Sequence, residues 1–355
     1  MDLRGRERPP ASDGPGRARP QAIRYHPLWQ QQRGDDKFAA MRQFGAVLPR
    51  IRRRVQRDLA DPATARPTRT LVLAALVRLL DTTFLRVGNE EYAHGNGSYG
   101  LTTLRVRHAG VRDAEVRLSF KGKSGVRQEV ALDDRRVAAV VRRCKALPGQ
   151  ELFQYCDPDG GTHKLTSADV NDYLAEIAGV RVTAKDFRTW HGSALALEFT
   201  RVACAGDGGR SAAAHVIAQV AARLGNTAAV CRKSYIHPAV LSLGAALADP
   251  DARTALLKQP WAGAGRARGG PLSAAERRLT ALLKSSLPRR ANGRPGQGAP
   301  EADGSAICRR ARNPPTDDGA RRKATSHAKD FGIHDAQRAG RPPRRDPAAR
   351  RASDG

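Results

Sequence analysis

The chain of 355 residues contains 62 Lys and Arg but only 35 Asp and Glu, which gives a formal net charge of +27 at pH 7. A surplus of this size predicts a polyanionic partner, of which DNA and RNA are the commonest. The sequence has no run of about twenty apolar residues, which excludes a membrane-spanning helix, and its charged N-terminus lacks the apolar stretch of a secretory signal.

Both ends of the chain have compositions typical of disordered segments. Residues 1–21 are rich in Arg, Pro and Gly, and residues 249–355 are rich in Arg, Ala, Gly, Pro and Asp. Such segments bury too little apolar surface to offset their chain entropy. One short helix is predicted at 273–287, where Ser273 is a cap and Glu276 follows three residues later. We expect the rest of this segment to be a basic tail that adds non-specific affinity for DNA.

Residues 36–248, between these ends, carry the apolar pattern of one folded domain. Segments 36–60 and 68–88 have helical spacing of their apolar residues. Pro49 in the first segment predicts a kink or a break. Helical spacing returns in four later segments that begin at residues 133, 167, 184 and 211.

Three short strands are predicted where the apolar period changes from helical to alternating. They are LTTLRVRH at 101–108, AEVRLSF at 114–120 and VRQEVAL at 126–132. KGKSG, between the last two, supplies a Gly-rich hairpin turn with Lys123 at its tip. The expected fold class is therefore mainly α with a small three-stranded antiparallel β insert.

The sequence argues against a nucleotide or metal cofactor. Gly122-Lys123-Ser124 matches the end of a phosphate-binding loop, but Arg117 stands where its first glycine belongs and a strand follows instead of a helix. The five cysteines form no CxxC pair and the nine histidines form no HExxH motif. This pattern predicts reduced thiols in a cytoplasm and neither a zinc site nor a disulfide framework. We expect no cofactor and no metal.

Two arginines lie within otherwise apolar helical pattern. Arg86 follows LLDTTFL, and Arg188 lies in AKDFRTWHGSALAL. A guanidinium near a core is costly unless an anion meets it. The anion could be a buried carboxylate, such as Asp81 or Asp186. It could also be a phosphate, which two forked donors bind well.

Tyr235 directly follows two cations, Arg232 and Lys233. Neighbouring cations favour the phenolate form of a tyrosine, which could attack a DNA phosphodiester and form a phosphotyrosine. The two arginines would hold the non-bridging oxygens, and Lys123 would protonate the leaving oxygen. One phosphodiester is exchanged for another, so this reaction needs neither ATP nor a metal. The alternative for the tyrosine alone is a packed or surface side chain.

Six stretches between residues 22 and 245 together carry a resemblance to a known family. They are FLRVGNEEYAHGNGSYGLTTLR, FKGKSG, LPGQELFQY, SADVNDYL, TAKDFRTWHG and RLGNTAAVCRKSYIHPAVL. In this order they resemble the type IB DNA topoisomerases, in their bacterial, poxvirus-like branch. The resemblance implies the helical catalytic domain that these enzymes share with tyrosine recombinases. It also implies double-stranded DNA as the partner, a monomer, and a location in the cytoplasm at the nucleoid.

The resemblance implies a role for each of five residues. Arg86 and Arg188 match the two catalytic arginines of the family, and Tyr235 matches the nucleophile that forms a 3′-phosphotyrosine. Lys123 matches the general acid on the hairpin. Asn226 stands where eukaryotic and viral relatives carry a histidine, and its amide can still donate a hydrogen bond to a phosphoryl oxygen. The residues that we expect to contact DNA are Tyr92, Lys185, Arg232 and Lys233.

Two departures from the family pattern are visible. AIRYHPLWQ, within residues 22–35, resembles only the end of the β-rich N-terminal lobe, so most of this lobe is expected to be missing. Ala228 replaces the usual proline after GNT.

Two other functions stay open at this point. A tyrosine recombinase would carry its second arginine in an HxxR box, whereas Lys185 at this offset from Arg188 is the topoisomerase form. The chain could also be a DNA-binding remnant without catalytic activity.

Overall fold

Twelve α-helices and five β-strands make up the part of the chain that the computed structural model describes, residues 27–60, 66–206, 212–266 and 270–285. The predictions for residues 1–26 and for the tail from 286 to 355 lie outside these ranges. The helices are α1 (Pro27–Asp58), α2 (Arg69–Thr83), α3 (Glu90–Asn96), α4 (Arg135–Lys145), α5 (Ser167–Ala178), α6 (Ala184–Ala205), α7 (Ala212–Leu224), α8 (Ala228–Ser234), α9 (Pro238–Leu241), α10 (Pro250–Leu257), α11 (Pro260–Gly263) and α12 (Ala274–Ser285). The strands are β1 (Ala109–Arg112), β2 (Glu115–Lys121), β3 (Arg127–Asp133), β4 (Gln154–Cys156) and β5 (Thr162–Lys164).

The expected fold class is confirmed, because helices dominate and β1, β2 and β3 form one antiparallel sheet in that order. The first predicted strand, however, is wrong. Leu101 and Leu104 are both fully buried, and a spacing of three residues suits a 3-10 helix better than a strand. Residues 101–108 accordingly form two short 3-10 helices, and β1 begins only at Ala109. The hairpin of β4 and β5 was not predicted.

Helix α1 continues through Pro49, so of the predicted kink or break at this residue, the break does not occur. A proline inside a helix lacks an N–H donor and crowds the carbonyl four residues earlier. That earlier residue is Gly45, where an added β-carbon would lie 2.4 Å from the Trp190 indole. Leu48 and Ile51, on either side of the proline, are also buried. The packed face of the helix therefore outweighs the local cost of the proline.

Helix α6 lies at the centre of the helical packing and carries buried Phe187, Trp190 and Leu197. Helices α10 and α12 pack directly against it. Trp261 and Leu279, from helices beyond residue 248, are buried with the rest of the core. The packed structure therefore extends past the domain end that we placed at 248, as far as Ser285 of α12.

Candidate active site

The turn after α2 brings two of the predicted catalytic residues towards each other. Phe84, just after the helix, has a φ of 59°, in the left-handed region that non-glycine residues rarely adopt. Its carbonyl accepts a hydrogen bond from Nη1 of Arg188. Two residues later, Arg86 donates from Nη2 to Oδ1 of Asn226. This strained turn therefore carries Arg86 and, through the Phe84 carbonyl, anchors Arg188.

Arg188 is a buried guanidinium, only 4% exposed, on helix α6. Besides the Phe84 carbonyl, it donates from Nη2 to the carbonyl of Leu224 over 2.8 Å. Burial lowers the pKa of Arg188; the Tyr235 phenol opposes this shift and the Arg86 charge adds to it. An arginine stays charged at any physiological pH. A full positive charge is therefore held by two neutral carbonyls.

The two carboxylates that could have paired with the arginines interact with other groups. Asp81 accepts hydrogen bonds from Arg52 over 2.8 Å and lies 3.0 Å from His191. Asp186 accepts from the backbone N–H of Thr183 over 2.8 Å, at the start of α6. Neither Asp81 nor Asp186 is therefore the carboxylate partner of Arg86 or Arg188.

Tyr235, the residue after α8, lies beside Arg188. The guanidinium carbon of Arg188 is 5.0 Å from the centre of the Tyr235 ring. The Tyr235 carbonyl accepts a hydrogen bond from the Ser193 hydroxyl over 3.1 Å. A β-carbon at Gly192 would lie 2.8 Å from this same carbonyl oxygen. The tyrosine backbone is thus pressed against α6, one turn after the buried arginine.

Two buried donors in this cluster lack a hydrogen bond to any residue that the structure describes. Nε of Arg188 and Nδ2 of Asn226 are buried and make no hydrogen bond of good geometry within the part of the chain that the structure describes, although the Tyr235 phenol interacts with Arg188 and the Cys231 thiol with Asn226. A buried donor without a partner costs about 1–3 kcal/mol, and such groups are rare in native structures. Together with Arg86 and Tyr235 they form a cluster of donors suited to an anion with several oxygens.

The orientation of the Asn226 amide follows from its neighbour. A guanidinium carries donors only, so the amide group that faces Arg86 must be the oxygen, Oδ1. Nδ2 is consequently left as the donor, and it is the atom without a partner. Arg86 therefore fixes Asn226 in the orientation that presents an N–H to an anion.

Lys123 lies at the hairpin turn between β2 and β3, and its side chain is exposed. Its Nζ atom is 5.5 Å from the centre of the Tyr92 ring, which is itself 49% exposed. The structure therefore brings four of the five predicted catalytic residues into one cluster and places the fifth beside a predicted DNA contact.

Gln128 links the lysine hairpin to the cluster and was missed by sequence reasoning. A β-carbon at Gly122 would lie 2.9 Å from Cγ of Gln128, and one at Gly225 would lie 2.6 Å from its Nε2. Gly122 precedes Lys123, and Gly225 precedes Asn226. The glutamine thus fills the space between the two loops. A neutral residue in an alternating strand gives no sequence signal for this role.

The other predicted DNA contacts lie outside the cluster. Lys185 is exposed on the first turn of α6, and Lys233 is exposed on α8. Arg232 lines an apolar cavity of about 490 Å³ together with Ile236 and Val240.

Neither a membrane-spanning helix nor a metal cluster is found among the described residues. No helix there combines the length and the apolar character that a bilayer requires. The same residues bring together no group of three or more His, Cys, Asp or Glu that could hold a metal ion.

Known proteins resemble this chain across the segment that holds the cluster. A family model described as the catalytic core of eukaryotic DNA topoisomerase I matches residues 27–243. A DNA topoisomerase 1B of Acanthamoeba polyphaga mimivirus is 28% identical over 233 residues, which cover 62% of this chain and 68% of the viral protein. A DNA topoisomerase 1 of Mycosarcoma maydis is 28% identical over 178 residues, covering 44% of this chain but only 17% of the fungal protein.

We expect Gly225→Ala to lower the free energy of unfolding by about 1–3 kcal/mol, the usual cost of a side chain in the left-handed region. Gly225 has a φ of 58°, and the new β-carbon would also displace the Gln128 amide. Urea denaturation measures the loss.

Gly110→Ala is the matched control, since a β-carbon there meets nothing within 4 Å. Adding Gln128→Ala to Gly225→Ala should recover part of the loss, because the displaced amide is gone. Equal stability of Gly225→Ala and Gly110→Ala would contradict the close contact between Gly225 and Gln128.

Proposed function

Because this chain belongs to the family of the eukaryotic DNA topoisomerase I catalytic core, we propose that it relaxes supercoiled DNA as a type IB topoisomerase. It cuts one strand of a duplex, lets the free end rotate and then rejoins the strand. The observation that carries the proposal is a pair of buried donors that lack a hydrogen bond among the described residues, one on Arg188 beside the Tyr235 ring and one on Asn226 next to Arg86.

The chemistry that fits this cluster is attack by Tyr235 on a DNA phosphodiester. The phenol gives its proton to solvent, its oxygen bonds to phosphorus, and the bond from phosphorus to the 5′ oxygen breaks. A 3′-phosphotyrosine and a free 5′ hydroxyl result. Attack by that hydroxyl reverses the reaction. One ester replaces another, so the cycle consumes no ATP, and the proposed steps assign no role to a metal ion.

Charge that builds on the phosphoryl oxygens is stabilised by the donors already in place. In this proposal the donors are Nε of Arg188 and Nδ2 of Asn226, which hydrogen-bond to the phosphoryl oxygens. Pre-oriented donors in a buried site stabilise a transition state strongly, because they need no rearrangement as the charge develops. The anchoring of Arg188 by the carbonyls of Phe84 and Leu224 supplies this pre-orientation.

Lys123 is the proposed donor of the proton to the leaving 5′ oxygen. It sits on an exposed turn and contacts the Tyr92 ring, an arrangement that leaves the ammonium group at the surface where a duplex would lie. We propose that it moves from the tyrosine onto the leaving oxygen when DNA binds, while Gln128 keeps its hairpin next to Asn226.

The finer assignment to the bacterial, poxvirus-like branch is also a proposal, supported by Asn226, a position at which bacterial members of the family resemble this chain. An amide donates to a phosphoryl oxygen without adding a charge, and the two arginines then supply the full positive charge at the phosphate. We further propose that the protein acts as a monomer on double-stranded DNA, wherever the DNA of its cell lies. The net charge of +27 suits this partner.

A tyrosine recombinase, the rival function, would use the same groups. A plasmid assay distinguishes the two functions. Relaxation of a supercoiled plasmid without a defined target sequence supports the topoisomerase. Products that form only between paired target sites support the recombinase.

We expect Tyr235→Phe to abolish covalent attachment to DNA while DNA affinity changes little, because only the attacking oxygen is lost. The measurement is denaturing electrophoresis of a labelled duplex after trapping with detergent. Tyr155→Phe, in β4, removes a hydroxyl outside the cluster and should form the adduct normally. If neither the wild type nor Tyr235→Phe forms an adduct, the proposed cleavage activity is contradicted, and the protein is a DNA-binding protein without this activity.

We expect Lys123→Ala to slow cleavage by about 10²–10⁴-fold, the usual contribution of a general acid. DNA binding should remain close to wild type. A substrate with sulfur in place of the 5′ bridging oxygen should restore the rate, because a thiolate leaves without needing a proton. Single-turnover cleavage of both substrates tests this, and failure of the sulfur substrate to rescue would contradict the assigned role.

A further inference from the structure

A buried polar cluster lies behind the candidate active site and joins four helices. Its members are Arg52 of α1, Asp81 of α2, His191 of α6 and Glu276 of α12. Arg52 donates two hydrogen bonds of 2.8 Å to Asp81 and two of 2.9 and 2.8 Å to Glu276. One guanidinium thus holds two carboxylates, in the paired geometry that makes such contacts strong.

Glu276 is the most distant member of this cluster in the sequence. It is 2% exposed and accepts a further hydrogen bond from the Trp190 indole over 3.0 Å. Burial alone would raise the pKa of its carboxyl, but the hydrogen bonds and charge of Arg52 outweigh burial and lower it. The carboxylate is consequently ionised at neutral pH. A buried charge of this kind favours one position of α12, because any other position loses the two hydrogen bonds between Arg52 and Glu276.

The cluster reaches the active site through His191 and Phe84. His191 lies 3.0 Å from Asp81, and its ring centre is 4.6 Å from that of Phe84. The Phe84 carbonyl is one of the two anchors of Arg188. His191 also follows Arg188 on α6 by three residues, so both lie on neighbouring turns of one face.

Asp81 connects the cluster to the other arginine. It is buried near the end of α2, five residues before Arg86. The strained turn at Phe84 lies between them. A shift of the carboxyl-terminal end of α2 against α6 would therefore move both catalytic guanidinium groups at once.

We propose, on the basis of the function proposed above, that Glu276 is a positioning residue for DNA cleavage. Helix α12 lies beyond residues 27–243, the range that matches the family model. Through Arg52 and Trp190, Glu276 fixes α1 and α6 around Asp81 and His191, and thereby fixes the turn that carries Arg86 and anchors Arg188. It touches no reacting atom. Its effect is on the rate of cleavage and not on the affinity for DNA.

The test compares three variants of the full chain in single-turnover cleavage at saturating DNA. Glu276→Ala removes the carboxylate, and Glu276→Gln keeps an oxygen acceptor but removes the charge. Leu283→Ala is the matched control, because Leu283 is a buried residue of the same helix, 4% exposed, outside the polar cluster. Urea denaturation and circular dichroism give the stability and folded fraction of each variant.

We expect Glu276→Ala to cleave about tenfold to a hundredfold more slowly than wild type, since small displacements of catalytic groups have effects of this size. The DNA concentration for half-maximal rate should stay within about twofold of wild type, by the same reasoning. Glu276→Gln should recover part of the rate. Leu283→Ala should lose stability but cleave at close to the wild-type rate.

Two results would overturn the positioning role. One is a wild-type cleavage rate in folded Glu276→Ala and Glu276→Gln. The other is a rate loss in Leu283→Ala equal to that in Glu276→Ala, which would make α12 a general stabiliser only. If Glu276→Ala fails to fold, Glu276→Gln decides between the same outcomes. Absence of adduct from the wild type is a separate result, which removes the proposed function and the positioning role with it.

Discussion

The burial of Arg188 with no carboxylate partner among the described residues is the constraint on which the candidate site depends. A guanidinium in the core must be held by oxygen atoms, and here they are the carbonyls of Phe84 and Leu224. These carbonyls share its hydrogen bonds without neutralising its charge. The charge and the free Nε atom remain for an incoming anion. Asp81, a carboxylate of the same part of the core, pairs with Arg52 and not with Arg188.

The geometry around this arginine explains several features that otherwise look costly. Phe84 adopts a left-handed conformation, which directs its carbonyl at Arg188. Gly192 allows the Tyr235 backbone to approach α6 within contact distance. Asn226 is oriented by Arg86. Each local cost is confined to residues that bear on one pocket, as expected where strain serves a function.

The sequence revealed the charged and aromatic members of the site far better than their supports. Arg86 and Arg188 stand out because a cation inside apolar pattern requires an anion, and Tyr235 stands out because two cations precede it. The anchors of Arg188 are backbone carbonyls, which any residue type can supply, so no pattern marks them. The strand predicted at 101–108 is wrong because the buried Leu101 and Leu104 are three residues apart, a spacing that suits a 3-10 turn and not the alternation of a strand. The composition beyond residue 248 is typical of disorder, so the packing of α12 against the core was not predicted. Glu276 resembles an ordinary surface acid in the sequence, although it is buried.

A crystal structure of the Tyr235→Phe variant bound to duplex DNA would show whether the buried donors bind a phosphate. We expect one backbone phosphate beside the ring of residue 235, with Arg86, Arg188 Nε and Asn226 Nδ2 each about 3 Å from its non-bridging oxygens. Lys123 should then lie next to the 5′ oxygen of that phosphate instead of the Tyr92 ring. A duplex bound elsewhere, with no phosphate next to Nε of Arg188 and Nδ2 of Asn226, would show that these donors do not bind the DNA backbone.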